Sequence, residues 1–154
     1  MSFHQLIKTQ KIPSSMNDVW NFISSPKNLK EITPPQMGFD IINDIGDEKM
    51  YPGMIIFYKV SPLLRIKLKW MTEITHIKDG EYFVDEQRVG PYKMWHHHHK
   101  IEKIEGGVLM TDIVTYQPPF GFLGRMANSI IIRKKLNSIF EYRNVALENK
   151  FGKF

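Results

Sequence analysis

Cysteine is absent from this 154-residue chain. Its absence excludes a disulfide scaffold, a thiolate metal site and a cysteine nucleophile, and it fits a reducing compartment. No apolar run approaches the roughly 20 residues that a bilayer span requires. The opening residues, MSFHQLIKTQKIP, lack the apolar stretch and small-residue cleavage site of a signal peptide. A cytoplasmic protein without a transmembrane segment is therefore expected. There is also no glycine-rich dinucleotide-binding motif, no internal repeat and no low-complexity tract beyond four consecutive histidines.

Acidic residues are fewer than basic ones, 16 against 21, giving a formal charge of +5. The bases are dispersed, in LRIKLKW at Leu64–Trp70 and RKKL at Arg133–Leu136, where they alternate with apolar residues. That is a solvated outer face, and no nucleic-acid motif accompanies it. Nucleic-acid binding is not expected; a basic rim attracting an anionic ligand or an acidic membrane surface is the better use of the charge. Apolar residues make up 42 % of the chain, enough for one hydrophobic core, so residues 1–154 are expected to form a single domain.

The period of the pattern changes along the chain. SFHQLIKTQKI alternates and stops at Pro13, as a first strand does. SSMNDVWNFISSP carries a serine cap and a Val19, Trp20, Phe22, Ile23 stripe, which predicts a short helix. KNLKEITPP predicts a second helical turn stopped by Pro34 and Pro35. From Gly38 to Gln117 the chain is rich in Ile, Val, Phe, Tyr and Thr and broken by Gly, Pro and Asp, predicting six more antiparallel strands. After a glycine- and proline-rich linker, Ile132, Leu136, Ile139, Phe140, Arg143, Leu147 and Phe151 follow helical spacing. They predict one long helix from Gly124 to Phe151. The class is α+β: a curved seven-stranded antiparallel sheet wrapped around a long C-terminal helix, with two short helices after the first strand.

Alternation assigns faces. Leu68, Trp70, Thr72 and Ile74 point to the core, and Phe83, Asp85, Gln87 and Val89 share a face. In MWHHHHKI, Trp95 and Ile101 carry His97 and His99 inward and leave His96 and His98 facing solvent. Val108, Met110, Asp112, Val114 and Tyr116 are taken as inward. Asp85, Gln87, His97, His99, Asp112 and Tyr116 then meet on one concave surface among Trp70, Phe83 and Trp95, the form of a ligand site.

These residues lie in motifs that cover nearly the whole chain: ITPP at Ile32–Pro35, W-x-T-x-I at Trp70–Ile74, F-x-D-x-Q-x-x-G-P-Y at Phe83–Tyr92, W-x-H-x-H-x-I at Trp95–Ile101, T-D-x-V-x-Y at Thr111–Tyr116 and F-x-Y-R-x-x-x-L at Phe140–Leu147. In order and spacing the chain resembles the bacterial ligand-binding, polyketide cyclase/dehydrase-like branch of the SRPBCC superfamily. The resemblance implies a START-like helix-grip fold over a hydrophobic pocket. It does not imply one activity, because such domains bind lipids, polyketides and hormones, act as cyclases or hydrolases, or regulate chaperones.

Three uses of the site follow. The first is binding of a small lipid-like or polyketide-like molecule, with Asp85, Gln87, His97, His99 and Asp112 on its polar or anionic end. Trp70, Trp95, Tyr116 and the long helix would line the apolar part. Arg143, on the apolar face of that helix, either snorkels to the rim or pairs with a carboxylate or a ligand anion. The second is acid–base catalysis by His97 or His99 with Asp85. The third is a partner or regulatory role through surface residues such as Phe120 and Phe122, on an unknown protein. His97 and His99, roughly 6.5 Å apart at their Cα atoms, could also bind a metal with Asp85 or Asp112 as third ligand. The balance favours a hydrogen-bond network, so no metal and no cofactor is expected.

Overall fold

The computed structural model describes residues 3–46, 49–61, 67–119, 121, 123, 126 and 131–154. Strand β1 (His4–Ile12) ends where Pro13 withholds a backbone donor. Helix α1 (Met16–Ile23) starts at Ser15, whose hydroxyl accepts from the Asp18 N–H at 3.1 Å, and buries Val19, Trp20, Phe22 and Ile23. The expected second helical turn is a 3₁₀ turn, Pro26–Lys30, and the ITPP segment adds another, Pro35–Met37. Each has proline in its first turn, where the missing N–H costs nothing.

The remaining strands are β2 (Asp40–Ile41), β3 (Ile55–Val60), β4 (Leu68–Lys78), β5 (Tyr82–Val89), β6 (Met94–Ile104) and β7 (Gly107–Gln117). They form one antiparallel sheet in the order β1-β7-β6-β5-β4-β3-β2. Two register shifts in β4, at Met71/Thr72 and Ile74/His76, are of the kind that bend a strand and increase its twist. The predicted inward faces hold on β6 and β7 and from Trp70 to Ile74 on β4; on β5 Phe83 is buried, but Val89 is exposed and Val84 of the opposite set is buried, next to the irregular β4–β5 register. Trp70, Thr72 and Ile74 are buried, as are His97, His99 and Ile101, and Val108, Met110, Asp112, Val114 and Tyr116.

Helix α2 (Arg133–Phe151) follows a wide π-type turn at Ile131–Ile132; the expected start at Gly124 lies outside the described residues. Its apolar stripe matches the helical spacing: Leu136, Phe140, Arg143 and Leu147 are all buried. The helix lies over the inward face of the sheet. The Gln10 amide donates to the Asn144 carbonyl at 2.9 Å, and the Phe140 ring sits 5.8 Å from that of His97. Toward one end, α1, β4, β5 and Leu147 enclose a core around Ile74, Phe83, Ile101 and Val108. Toward the other, Leu6, Val114 and Tyr116 pack on Ile132, Leu136 and Phe140. Among the described residues, no helix is long and apolar enough to cross a membrane.

Candidate functional site

Between sheet and helix lies a cavity of about 130 Å³. An apolar cavity of about 150 Å³ accommodates a benzene-sized molecule, so this one suits a single ring or a short chain. Its apolar wall includes Ile56, Phe83 and Trp95 from the sheet, Met37 from the second 3₁₀ turn, and Leu136 and Phe140 from α2. Trp70 anchors an aromatic corner, with the rings of Tyr58, Tyr92 and Trp95 5.8, 5.7 and 5.4 Å from its own.

The polar floor is built by cross-strand register. Asp85 on β5 stands opposite His97 on β6, and Asp112 on β7 stands opposite His99. The two imidazoles converge until their ring centroids are 3.6 Å apart, and Phe83 stacks on His99 at 4.1 Å. The carboxylates grip this pair from both ends. Asp112 Oδ1 accepts from His97 Nε2 at 2.8 Å and lies 2.9 Å from His99 Nδ1. Asp85 Oδ2 accepts from His99 Nε2 at 2.7 Å and lies 3.6 Å from His97 Nδ1. Arg143, buried on α2, donates from Nη1 to the same Asp112 oxygen at 3.0 Å.

Protonation follows from these contacts. Burial raises the Asp112 carboxyl, but Arg143 and the two histidines outweigh it and hold it well below the usual carboxylate range. Burial also raises Asp85, and the His99 hydrogen bond with the neighbouring positive charges brings it below its ordinary value. His99 has a carboxylate at each ring nitrogen. Burial lowers its pKa, yet the two carboxylates prevail and raise it above the ordinary histidine value. For His97, burial and then the charge of His99 lower the pKa to about 4, against a raising hydrogen bond to Asp112. Near neutral pH His97 is thus a neutral imidazole, with Nε2–H on Asp112 and its lone pair on Nδ1. With His99 protonated, two carboxylates face one imidazolium and one guanidinium, so the cluster is electrically balanced.

Two buried donors on the cavity-lining side chains have no hydrogen-bond partner: Trp70 Nε1 and Arg143 Nε. An unpaired buried donor costs about 1–3 kcal/mol.

No protein-family model matches the chain, and no curated protein is similar to it in sequence. Solved structures are similar in shape. Protein CV1439 from Chromobacterium violaceum superposes with a TM-score of 0.72 at 10 % identity, over 97 % of this chain and 99 % of that one. The major latex-like protein 151 of Panax ginseng gives 0.70 at 14 % identity, over 97 % of each. TTHA0849 from Thermus thermophilus gives 0.69 at 13 % identity, over 96 % and 97 %.

The chain has a helix-grip fold, a seven-stranded antiparallel sheet over a long C-terminal helix. Identities this low establish the fold alone.

Within this helix-grip frame, Trp70, Asp85, Trp95, His97, His99 and Arg143 all line the cavity. Three expected site residues do not. Gln87 is turned to the β5–β6 connection, where its amide donates to the Tyr92 carbonyl at 2.6 Å and accepts from the Tyr92 N–H at 3.1 Å. A side chain at Gly90 would push that amide out of its present place. Asp112 lies behind the histidines, and Tyr116 packs into the apolar cluster under Leu136. Arg143 takes the carboxylate rather than the rim. Sequence reasoning passed over Tyr58 and Thr72 as site residues; their hydroxyls are 2.9 Å apart on the cavity wall. The alternation Ile56-Tyr58-Val60 in IIFYKV carried that signal for Tyr58. Phe120 and Phe122, the residues of the surface alternative, lie outside the described residues.

Proposed function

We propose that this protein binds a small, largely apolar molecule carrying a neutral hydrogen-bond acceptor, such as a ketone, ester or amide carbonyl. The observation that carries the reading is that two residues lining an otherwise mainly apolar cavity, Trp70 and Arg143, carry buried donors, Nε1 and Nε, with no hydrogen-bond partner. A few convergent polar groups in an apolar pocket are the usual form of a small-molecule site. The charge balance of Asp85, Asp112, His99 and Arg143 selects the neutral acceptor. A carboxylate placed beside Asp85 has no spare cation to meet it. The volume favours a single-ring or short-chain ligand over a fused polyketide or a long lipid. Cytoplasmic location and kinship to the bacterial ligand-binding branch belong to the same proposal.

Native mass spectrometry of protein purified without a nickel column tests it. A co-purified organic adduct should be present in the wild type and lost on Ile139→Trp, which fills the cavity. An adduct that survives this change lies elsewhere and sinks the reading.

A second reading has its own support. Two adjacent imidazoles whose pKa values are driven in opposite directions supply a base and an acid side by side. His97 Nδ1 would remove a proton next to a bound carbonyl, with Asp85 and His99 positioned to relay it, as in an aldol cyclisation or dehydration. Loss of turnover with retained binding in both His97→Ala and Asp85→Asn favours the enzyme. Weakened binding without any turnover in the wild type favours the binder.

A further inference from the structure

We propose that Asp85, His97 and His99 form a site for one divalent transition-metal ion, with zinc the natural probe, on the cavity wall. One ligand atom from each lies within 4.8 Å of the others, and the atoms converge from adjacent strands: Asp85 Oδ2 to His99 Nε2 at 2.7 Å, and to His97 Nδ1 at 3.6 Å. Metal–ligand bonds of about 2.0–2.1 Å in a tetrahedron separate ligand atoms by roughly 3.3 Å. The two spacings from Asp85 bracket that value, and the two histidine ligand atoms lie within 4.8 Å of each other.

The outer contacts argue for a metal more specifically than the triad does. Metal-binding histidines characteristically present one nitrogen to the ion and the other to a carboxylate that fixes the ring. Here both rings do so toward one oxygen. His97 gives Nε2 and His99 gives Nδ1 to Asp112 Oδ1, leaving His97 Nδ1 and His99 Nε2 on the Asp85 side. Arg143 in turn holds Asp112. Asp112 is thus a positioning residue for the site.

Two imidazoles and one carboxylate suit zinc, iron(II), cobalt(II) or nickel(II), and are too nitrogen-rich for magnesium or calcium. Three protein ligands leave a fourth position toward the cavity, the pattern of metal sites that meet a substrate or a water. On binding, the ion takes the place of the hydrogen between His99 Nε2 and Asp85 Oδ2, and one proton leaves to solvent.

The chain also carries an outward pair, His96 and His98, which a zinc titration must exclude. The test is therefore made on full-length His96→Ala/His98→Ala protein, by zinc calorimetry and by cobalt(II) absorption. We expect one equivalent of zinc, tetrahedral-type cobalt bands and a zinc-dependent rise in Tm. Asp112→Asn in that background should weaken binding about 10–100-fold. Asp85→Ala should weaken it more and abolish the cobalt bands. Because Asp85 sits at the cavity wall, its folding is checked by circular dichroism; if it unfolds, Asp112→Asn decides. Loss of all zinc binding with the outer pair, or affinity unchanged by both Asp85→Ala and Asp112→Asn, overturns the proposal. It does not rest on the carbonyl-binding reading, since no organic ligand enters the experiment.

Discussion

Acid sensitivity of the metal-free protein isolates the buried imidazole pair. In chelator, His97 is neutral in the fold with a pKa of about 4, while the unfolded chain takes up a proton near 6.5. The unfolded state binds more protons throughout that window, so the contribution of His97 to stability is complete above 6.5 and falls as pH drops toward 4. Between pH 7 and pH 4.5 the loss amounts to roughly 2 kcal/mol at 1.36 kcal/mol per pH unit. His99 has the opposite sign. Its raised folded pKa stabilises fully below 6.5, and that stability is lost as pH rises through the folded value. Asp85 and Asp112, both depressed, lose their contribution mainly below the ordinary carboxylate range, outside this window. In His97→Gln an amide N–H can still meet Asp112 but no proton is taken up. Urea unfolding of both proteins at pH 7 and pH 4.5 gives the double difference, in which His99 and the surface histidines cancel. We expect the wild type to lose about 2 kcal/mol more than the variant. Equal acid losses would refute the neutral assignment of His97.

Other substitutions test separate parts of the structure. Arg143→Met leaves Asp112 buried without its guanidinium and should cost about 3–5 kcal/mol in chemical denaturation; Arg143→Met/Asp112→Asn should recover part of it. Phe83→Ala removes a fully buried ring stacked on His99 and should cost about 3–5 kcal/mol. Gln87→Ala should cost about 1–2 kcal/mol through the lost clamp on Tyr92, with ligand affinity unchanged. An affinity loss there would return Gln87 to the site. His96→Ala/His98→Ala should change stability by less than about 0.5 kcal/mol and abolish retention of the untagged protein on nickel resin.

The fold was legible because its signals are local. Two-residue alternation set the faces of β4, β6 and β7, and Trp95 and Ile101 chose between two readings of the histidine run. Three- and four-residue spacing set the buried stripe of α2 from Leu136 to Leu147. Depth was not legible. Asp112 and Tyr116 share a face with Val114 and point inward as read, yet they sit behind the cavity rather than on its wall. Alternation says which side of a sheet a residue takes, not which neighbour from another strand or helix stands in front of it. Gln87 escaped for a different reason. Its partner is a backbone five residues ahead, brought back by the reversal at Gly90, and no periodicity encodes that. The choice for Arg143 depended on how α2 sits over β7, a long-range matter. The histidine pair could be placed from sequence; its two-carboxylate grip required the register of three strands.

The central claim is that Trp70 and Arg143 await a neutral acceptor, and the indole resonances of the protein in chelator report on it directly. Trp20 Nε1 already donates to Asp79 at 2.6 Å, whereas Trp70 Nε1 is unpaired. In ¹H–¹⁵N spectra assigned by Trp→Phe variants, small aryl ketones such as acetophenone should shift the Trp70 indole downfield, leave Trp20 in place, and outcompete matched carboxylates such as benzoate. Cavity binding by these compounds that leaves the Trp70 indole unmoved, or a preference for the carboxylates, would contradict the account.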